Sequence, residues 1–566
     1  MAETLISAGV LARENDQSFI TQGPVTVGAA IIGPTAKGPV EIPTVVTSYS
    51  EYQNKFGSTI TSGSNVYSYF TSIAAYNYFQ NGGETLLVSR VVNGTYAAAT
   101  TTLDGEENAV SVTFKTIGEG ILMNSSSSVN ADGSMDSGSA DNVRWEVLNS
   151  NTGSGTFDLL VRRGNDTTND KSVLETWTNL SLDPFSSNYV AKRIGDQTST
   201  YTADGTSYYL QTSGAYPNAS RYIRVSAVDA TTPNYLDNSG VAKSAYTASI
   251  PVAQAGGFIS ATGDVKDAAK FYDEITSTDT QGLVGTDYTK MINLLSNSDD
   301  YKFNVLITPG LYDTDYTTQL TSIISNTQNR GDNLFILDPV KHGMSITDVT
   351  SIAASRNTSY AASYWPWVQV IDPDTGRQVW VPASTLMAGV FAYNDSVSEP
   401  WFAPAGINRG GLGQVVRPER KLAQATRDTL YTNKVNPIAS FPGTGVVVYG
   451  QKTLQTKSTA LDRVNVRRLL IAMKSYIAGV AQNLVFEQNS AATRNNFLAQ
   501  VNPYLEGIQQ KQGLYAFKVV MDETNNTADV IDRNELIGQI YVQPTKTAEY
   551  IYLDFNVTPT GVAFPA

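Results

Sequence analysis

Apolar and polar positions divide the chain into zones of different periodicity. The apolar run at 25–32 predicts a strand, closed by Gly33-Pro34 and Gly38-Pro39, where glycine permits unusual dihedrals and proline fixes its own. A second strand is expected from Pro43. Ser48 is a cap-like residue for a short helix over 48–56, with Glu51 three positions on. Over 66–79, Tyr69, Ile73, Tyr76 and Phe79 recur at helical intervals until Asn81-Gly82-Gly83 ends the pattern, and a strand follows at 85–92. This order of strand, turn, strand, helix and strand predicts an α/β layer.

From about 95 to 250 the pattern changes to short alternating runs at 110–114, 143–148, 157–162 and 222–228, set among Ser, Thr, Asn, Asp and Gly. The tract 124–142 holds almost no core-forming residues, so a mobile surface loop is expected there and an inserted β-rich module around it. After Gly256-Gly257 the α/β pattern resumes, with helices expected at 268–275 and 291–295. Strands are expected at 303–307, 334–337 and 368–371, the last two stopped by Asp338-Pro339 and Asp372-Pro373.

Near the C-terminal side, Val466, Leu469, Met473, Ile477, Val480 and Leu484 form one apolar stripe and predict a long helix, with Arg463, Arg467 and Lys474 on its other face. Strands are expected at 516–521, 538–542 and 550–557. In the last of these, Ile551, Leu553 and Phe555 alternate with Tyr550, Tyr552 and Asp554. Residues 1–22 carry no stripe long enough for a free-standing helix and read as an arm that would reach about 66 Å when extended. The fold class is therefore α+β multidomain: an arm at 1–22, an α/β unit from 23–94 and 250–400, an insertion at 95–249, and a C-terminal unit at 401–566.

Composition narrows the chemistry. The chain has 566 residues, 41% hydrophobic and only 16% charged, with 31 Tyr and 44 Gly, which fits a charge-poor globular body rich in turns. It contains no cysteine and one histidine, His342, so thiol nucleophiles, cysteine metal cages and most histidine-based acid-base mechanisms have no residues to use. The net charge of −13, from 39 Lys plus Arg against 52 Asp plus Glu, repels phosphate backbones and argues against nucleic acid as a direct partner. No apolar run approaches the roughly 20 residues needed to span a bilayer, and residues 1–10 lack a basic start and an apolar core. Synthesis in the cytosol and no membrane insertion are the expectation.

Candidate chemical motifs have plain structural readings beside them. Gly406, Gly410, Gly411 and Gly413 lack the Lys-Ser/Thr continuation of a phosphate loop, and Asp372, Asp374 and Gly376 lack the other ligands of a calcium loop. Asp522, Glu523, Asp529, Asp532 and Glu535 supply carboxylates for a glycosidase pair but read as a hairpin turn and a strand connection. Trp365, Trp367, Trp380 and Trp401 read as packing anchors before sugar platforms. No catalytic residue, cofactor site or metal site is assigned, and a carbohydrate-binding surface protein is the alternative class.

A set of dispersed segments resembles the tail sheath proteins of contractile-tailed bacteriophages. These are VGAAIIGPTAKGPV at 27–40, SYSEYQNKFG at 48–57, YFQNGGETLLVSRV at 78–91, NLSLDPFSSNYV at 179–190 and WFAPAGINRG at 401–410. DRVNVRRLL at 462–470, VIDRNELIGQIYVQP at 530–544 and YIYLDFNVTPTGVAF at 550–564 carry the resemblance furthest. It implies a non-enzymatic subunit with an α/β sheath core, an outer β-rich insertion and extended terminal arms. It further implies stacked hexameric rings in a helical polymer around a tail tube, with baseplate and tail terminator proteins as further partners. Assembly in the host cytoplasm and a place in the virion follow from the same resemblance, and injection devices built on the same fold fit it too. Gly9, Val10, Leu11 and Arg13 with Tyr550, Ile551, Leu553 and Phe555 are then the expected inter-subunit arm contacts, because alternating extended segments can add to a sheet edge. Arg463, Arg467, Arg468 and Lys474 are the expected tube-facing positions, with an ordinary solvated helix face as the bland alternative.

Overall fold

The computed structural model describes residues 26–62, 65–106, 109–264 and 275–552. The expected arm contacts Gly9, Val10, Leu11, Arg13, Leu553 and Phe555 lie outside these residues, as does nearly all of the helix expected at 268–275.

At the centre is an eight-stranded sheet. Its order is Thr44–Val46, Leu86–Arg90, Thr26–Gly33, Lys302–Tyr312, Leu334–Asp338, Ala361–Trp365, Val435–Phe441 and Gly445–Val448. The six inner strands are parallel and each outermost strand is antiparallel. Parallel strands covered on both faces need near-continuous apolar runs, which is what 303–307 and 334–337 supply. In register, Ala29, Ala30 and Ile31 face Val305, Leu306 and Ile307, all buried. The helices Phe70–Gln80 and Ser384–Val397 pack on each other so closely that a Cβ at Gly389 would lie 2.8 Å from the Asn77 carbonyl.

The helix predicted over 66–79 begins later than expected. Asn65–Ser68 is instead a strand paired with Thr59–Ser62, and the helix starts at Phe70. The short helix at 48–56 starts as its cap predicts: the Glu51 amide donates to the Ser48 hydroxyl at 3.1 Å. The Asp372 turn joins Val368–Ile371 to Gln378–Val381 in a separate three-stranded sheet with Val415–Pro418. Its carboxylate accepts from Ser68 and Thr375, so its oxygens serve the turn.

Residues from Ala98 to Gly257 form three antiparallel sheets, of four, three and two strands, and have their own apolar cluster, including Trp145, Phe157, Leu159, Phe258 and Ile223. The region closes on itself where Ala97 bridges Thr262 and Thr100 bridges Ile259. The polar tract 124–142 is not the free-standing loop expected. Asn142 Nδ2 donates to the carbonyls of Asn124 and Ser137, Asn124 bonds Ala261 through both side-chain atoms, and Met135 is buried beneath. Amide side chains do there what apolar side chains do elsewhere, and an apolar-pattern reading misses them.

The C-terminal unit pairs two long helices, Val464–Gln482 and Ala491–Gln510, the second absent from the sequence reading. Val466, Leu469, Met473 and Val480 are buried on the first, and Leu469, Met473 and Val480 share one cluster with Phe497, Val501, Leu505 and Ile508 of the second. At ~1.5–3 kcal/mol per fully buried large side chain, this seam is the main support of the unit. The strands Leu514–Val520 and Gln539–Pro544 pair antiparallel, with Phe517 opposite Val542 and Val519 opposite Ile540. Asp522 to Asn526 form a turn, the Asn526 amide donating to the Asp522 carbonyl at 3.0 Å, but this turn does not join the two strands directly, and Asp532-Arg533 is not the buried connection expected. An excursion containing the short helix Ala528–Asp532 separates the strands, and Arg533 pairs with Glu535 at the surface at 2.9 Å.

Candidate functional site

The C-terminal hairpin has one face against the helix pair and one in solvent. Phe517, Val519, Ile540 and Val542 are half-buried on the inner face, whereas Tyr515 and Tyr541 are exposed on the outer face. It is a two-stranded sheet, and among the described residues no third strand pairs with either edge. Each outer edge therefore presents main-chain donors and acceptors that another extended segment can satisfy.

From the hairpin the chain returns to the α/β body through 545–549. The Thr545 amide and hydroxyl bond the carbonyls of Gly513 and Gln512 at 3.1 and 2.7 Å. Glu549 is then gripped from three elements. Arg463 donates through Nε at 2.7 Å and Nη2 at 3.0 Å, Tyr431 through its hydroxyl at 2.8 Å, and Gln451 through Nε2 at 3.1 Å. Burial, and after it the neighbouring carboxylate, push the Tyr431 hydroxyl far above its ordinary range. Immediately beyond, Tyr550, Ile551 and Tyr552 are exposed, 66%, 76% and 87% respectively, and are in no strand. A fixed root with an exposed continuation is a geometry from which an arm can leave the body.

The four basic positions separate. Arg463 is the clamp on Glu549 and also pairs with Asp462 at 2.9 Å, so it is committed within the chain. Arg467 and Arg468 are not surface residues, and the expectation that they face a tube is corrected. Arg467 lies 4.0 Å from the Tyr360 ring centroid and donates to Ser359, while Arg468 lies over Phe391 and pairs with Asp395 at 2.5 Å. The first turns of the helix Val464–Gln482 are sandwiched between the α/β body and the second long helix, so both of its faces are interior there. Lys474, beyond the sandwich, is exposed and bonds the Tyr360 hydroxyl at 3.3 Å.

The chemical alternatives find packing roles. His342 lies between the Trp367 and Trp380 rings at 5.5 and 5.2 Å, and Trp365 and Trp367 are buried. Asp522 caps its own turn through the Thr524 amide. Among the described residues no group of three or more His, Asp or Glu side chains is placed to hold a metal ion, and no helix is long and apolar enough to cross a membrane. Sequence reasoning missed Glu549 and Tyr431; the sole acidic residue just before an alternating aromatic run was the available signal.

Comparison with known proteins gives this geometry a family. The phage tail sheath protein central domain matches residues 281–454 and the phage tail sheath C-terminal domain matches 456–558. The tail sheath protein of Vibrio phage KVP40 is 41% identical over 228 residues, covering 40% of this chain and 33% of that protein. That of Salmonella phage ViI is 31% identical over 323 residues, covering 53% and 51%. The chain thus spans between a third and about half of the length of these curated relatives. The crystal structure of a sheath tail protein from Listeria innocua superimposes with a TM-score of 0.51 at 10% identity, covering 92% of this chain and 96% of that one, which extends the shared fold across nearly the whole molecule. With both domain matches contiguous, residues 281–558 carry the central and C-terminal domains of the phage tail sheath family, whose members are structural proteins and not enzymes.

Proposed function

We propose that this chain is the subunit of a contractile tail sheath that polymerises as stacked hexameric rings around a tail tube and shortens to drive that tube through a host envelope. The observation that carries the reading is the open-edged hairpin of Leu514–Val520 and Gln539–Pro544 beside a terminal segment rooted at Glu549. In the polymer, residues 1–22 with Gly9, Val10, Leu11 and Arg13, and the segment from Tyr550 and Ile551 through Leu553 and Phe555, add strands to the hairpins of neighbouring copies. Main-chain pairing of this kind is insensitive to modest rotation of one body against the next. Repeated across a lattice, it keeps subunits linked while larger contacts exchange.

The module at 95–249 takes the outer position, and Lys474 on the exposed half of the helix Val464–Gln482 is the surviving tube-facing candidate. Baseplate and tail terminator proteins close the polymer at its ends, and the assembled sheath resides in the virion after assembly in the host cytoplasm.

The test is removal of residues 553–566 and, separately, of 1–22. Each variant is expected to remain a folded monomer by circular dichroism and to lose long polymers in sedimentation and electron microscopy. Polymers of undiminished length in both variants contradict the strand-addition reading.

A further inference from the structure

A cavity of about 500 Å³ with a mixed polar and apolar lining lies at the seam between the α/β body and the β-rich module. Its charge does not follow that of the chain. In a molecule of net charge −13, the cavity is lined by Lys37, Lys55, Arg163, Arg221 and Arg224 against the carboxylates Glu119 and Asp141. Two of the cations are satisfied internally: Lys37 pairs with Asp141 at 3.2 Å and Lys55 with Glu51 at 3.0 Å. Among the described residues no carboxylate lies within ion-pair distance of Arg163, Arg221 or Arg224, although Glu119 and Asp196 act on Arg224 from farther away.

Arg163 and Arg224 come from strands of the module, Arg221 from the bend just before Ile223–Val228, and the lysines from the body, at the turn after Thr26–Gly33 and the end of Tyr49–Phe56. Gln197 and Asn218 add amide groups to the same wall. Guanidinium forks without an internal acceptor, held in a concave site, match the oxygens of phosphate or carboxylate groups. The volume falls in the range of pockets that enclose small organic ligands. Grouping like charges in an otherwise acidic chain costs self-repulsion that an anion removes.

We infer that this seam is a binding site for a small polyanion, a molecule bearing clustered phosphate or carboxylate groups, which bridges the β-rich module to the body. Bound there, the anion neutralises Arg163, Arg221 and Arg224 together and ties the module to Lys55 across the seam. The inference does not depend on the sheath reading.

Isothermal titration of the full chain at low salt, with tripolyphosphate and with citrate as separate probes, tests it. The result expected is one saturable site for at least one probe, weakened by added NaCl and by at least tenfold in the double variant Arg163→Ala/Arg221→Ala. The stronger probe identifies phosphate or carboxylate as the preferred group. Both residues are partly exposed, so the double variant is expected to keep its fold, which circular dichroism checks, and Lys518→Ala/Arg533→Ala, at two exposed positions away from the cavity, serves as a charge-matched control. Absence of saturable binding for both probes, or equal binding in the folded double variant, overturns the site.

Discussion

Arg463 and Glu549, 86 residues apart, form a two-pronged ion pair with Nε–Oε1 at 2.7 Å and Nη2–Oε2 at 3.0 Å. The pair joins the head of the long helix to the root of the terminal segment, and both side chains are largely buried. Replacing Glu549 with Ala leaves a guanidinium without its main acceptor, at a cost of about 1–3 kcal/mol. Hydrogen exchange at 545–552 should rise while the central strands keep their protection. Arg463→Lys should give a smaller increase, because an ammonium keeps the charge and loses the fork. Unchanged exchange in Glu549→Ala would show that the segment is held by something else.

Charge reversals at Arg467 and Lys474 should have different consequences. Arg467 is 4% exposed and stacked on Tyr360, so Arg467→Glu removes a packed stem and buries an unpaired carboxylate. Loss of several degrees in Tm, or insoluble expression, is expected. Lys474→Glu should stay within about 0.5 kcal/mol of the parent stability. If Lys474 meets the tube, this variant weakens co-sedimentation of folded subunits with tube protein; equal co-sedimentation removes Lys474 from that role.

Burial raises the Asp338 carboxyl from 3.8 to about 7, a rise only partly opposed by the Ser384 hydroxyl and amide that bond it. The native chain then holds a proton that the unfolded chain has released, so this group's stabilisation is complete below about pH 4 and is lost as pH rises to about 7. A rise of this size corresponds to roughly 4 kcal/mol as an upper figure. Glu51 works oppositely: hydrogen bonds from Thr47 and Lys55 outweigh burial and hold it at about 2, so its contribution is lost only in acid. Glu119 and Asp374, whose carboxyls burial also raises, act in the same direction as Asp338, which the Asp338→Asn variant separates from them. Denaturant unfolding should show stability falling between pH 5 and 8 in the parent and a flatter profile in Asp338→Asn; parallel profiles would exclude Asp338 as the source.

Within the β-rich module, Asp166 accepts from Arg162 at 2.8 and 2.9 Å and from Arg144 at 3.3 Å, with all three side chains almost fully buried. Asp166→Asn strips the only fully buried counter-charge from two guanidinium groups and should cost about 3–5 kcal/mol. Limited proteolysis is expected to speed up within 98–262 while the eight-stranded sheet stays resistant. Faster cleavage distributed evenly over the chain would instead mean that the module and body unfold together.

What was legible in advance followed from periodicity. The buried strands around 303–307 and 334–337 and the stripe Leu469, Met473, Val480 stand out because each face meets one environment. The helix Ala491–Gln510 was missed although Phe497, Val501, Leu505 and Ile508 share a face, because Pro503 and a run of Asn and Gln obscure the pattern. Arg467 and Arg468 were misplaced because one-dimensional pattern assigns charge to solvent, and an aromatic ring above a guanidinium comes from a distant segment. The role of Glu549 was invisible for the same reason: Tyr431, Gln451 and Arg463 converge on it only in three dimensions.

Electron microscopy of the purified full chain at rising concentration tests the central claim most directly, since association follows mass action. A sheath subunit should give hollow helical tubes or stacked six-membered rings above a threshold concentration. A chain that stays monomeric at every concentration and salt, with its fold intact, would contradict the account.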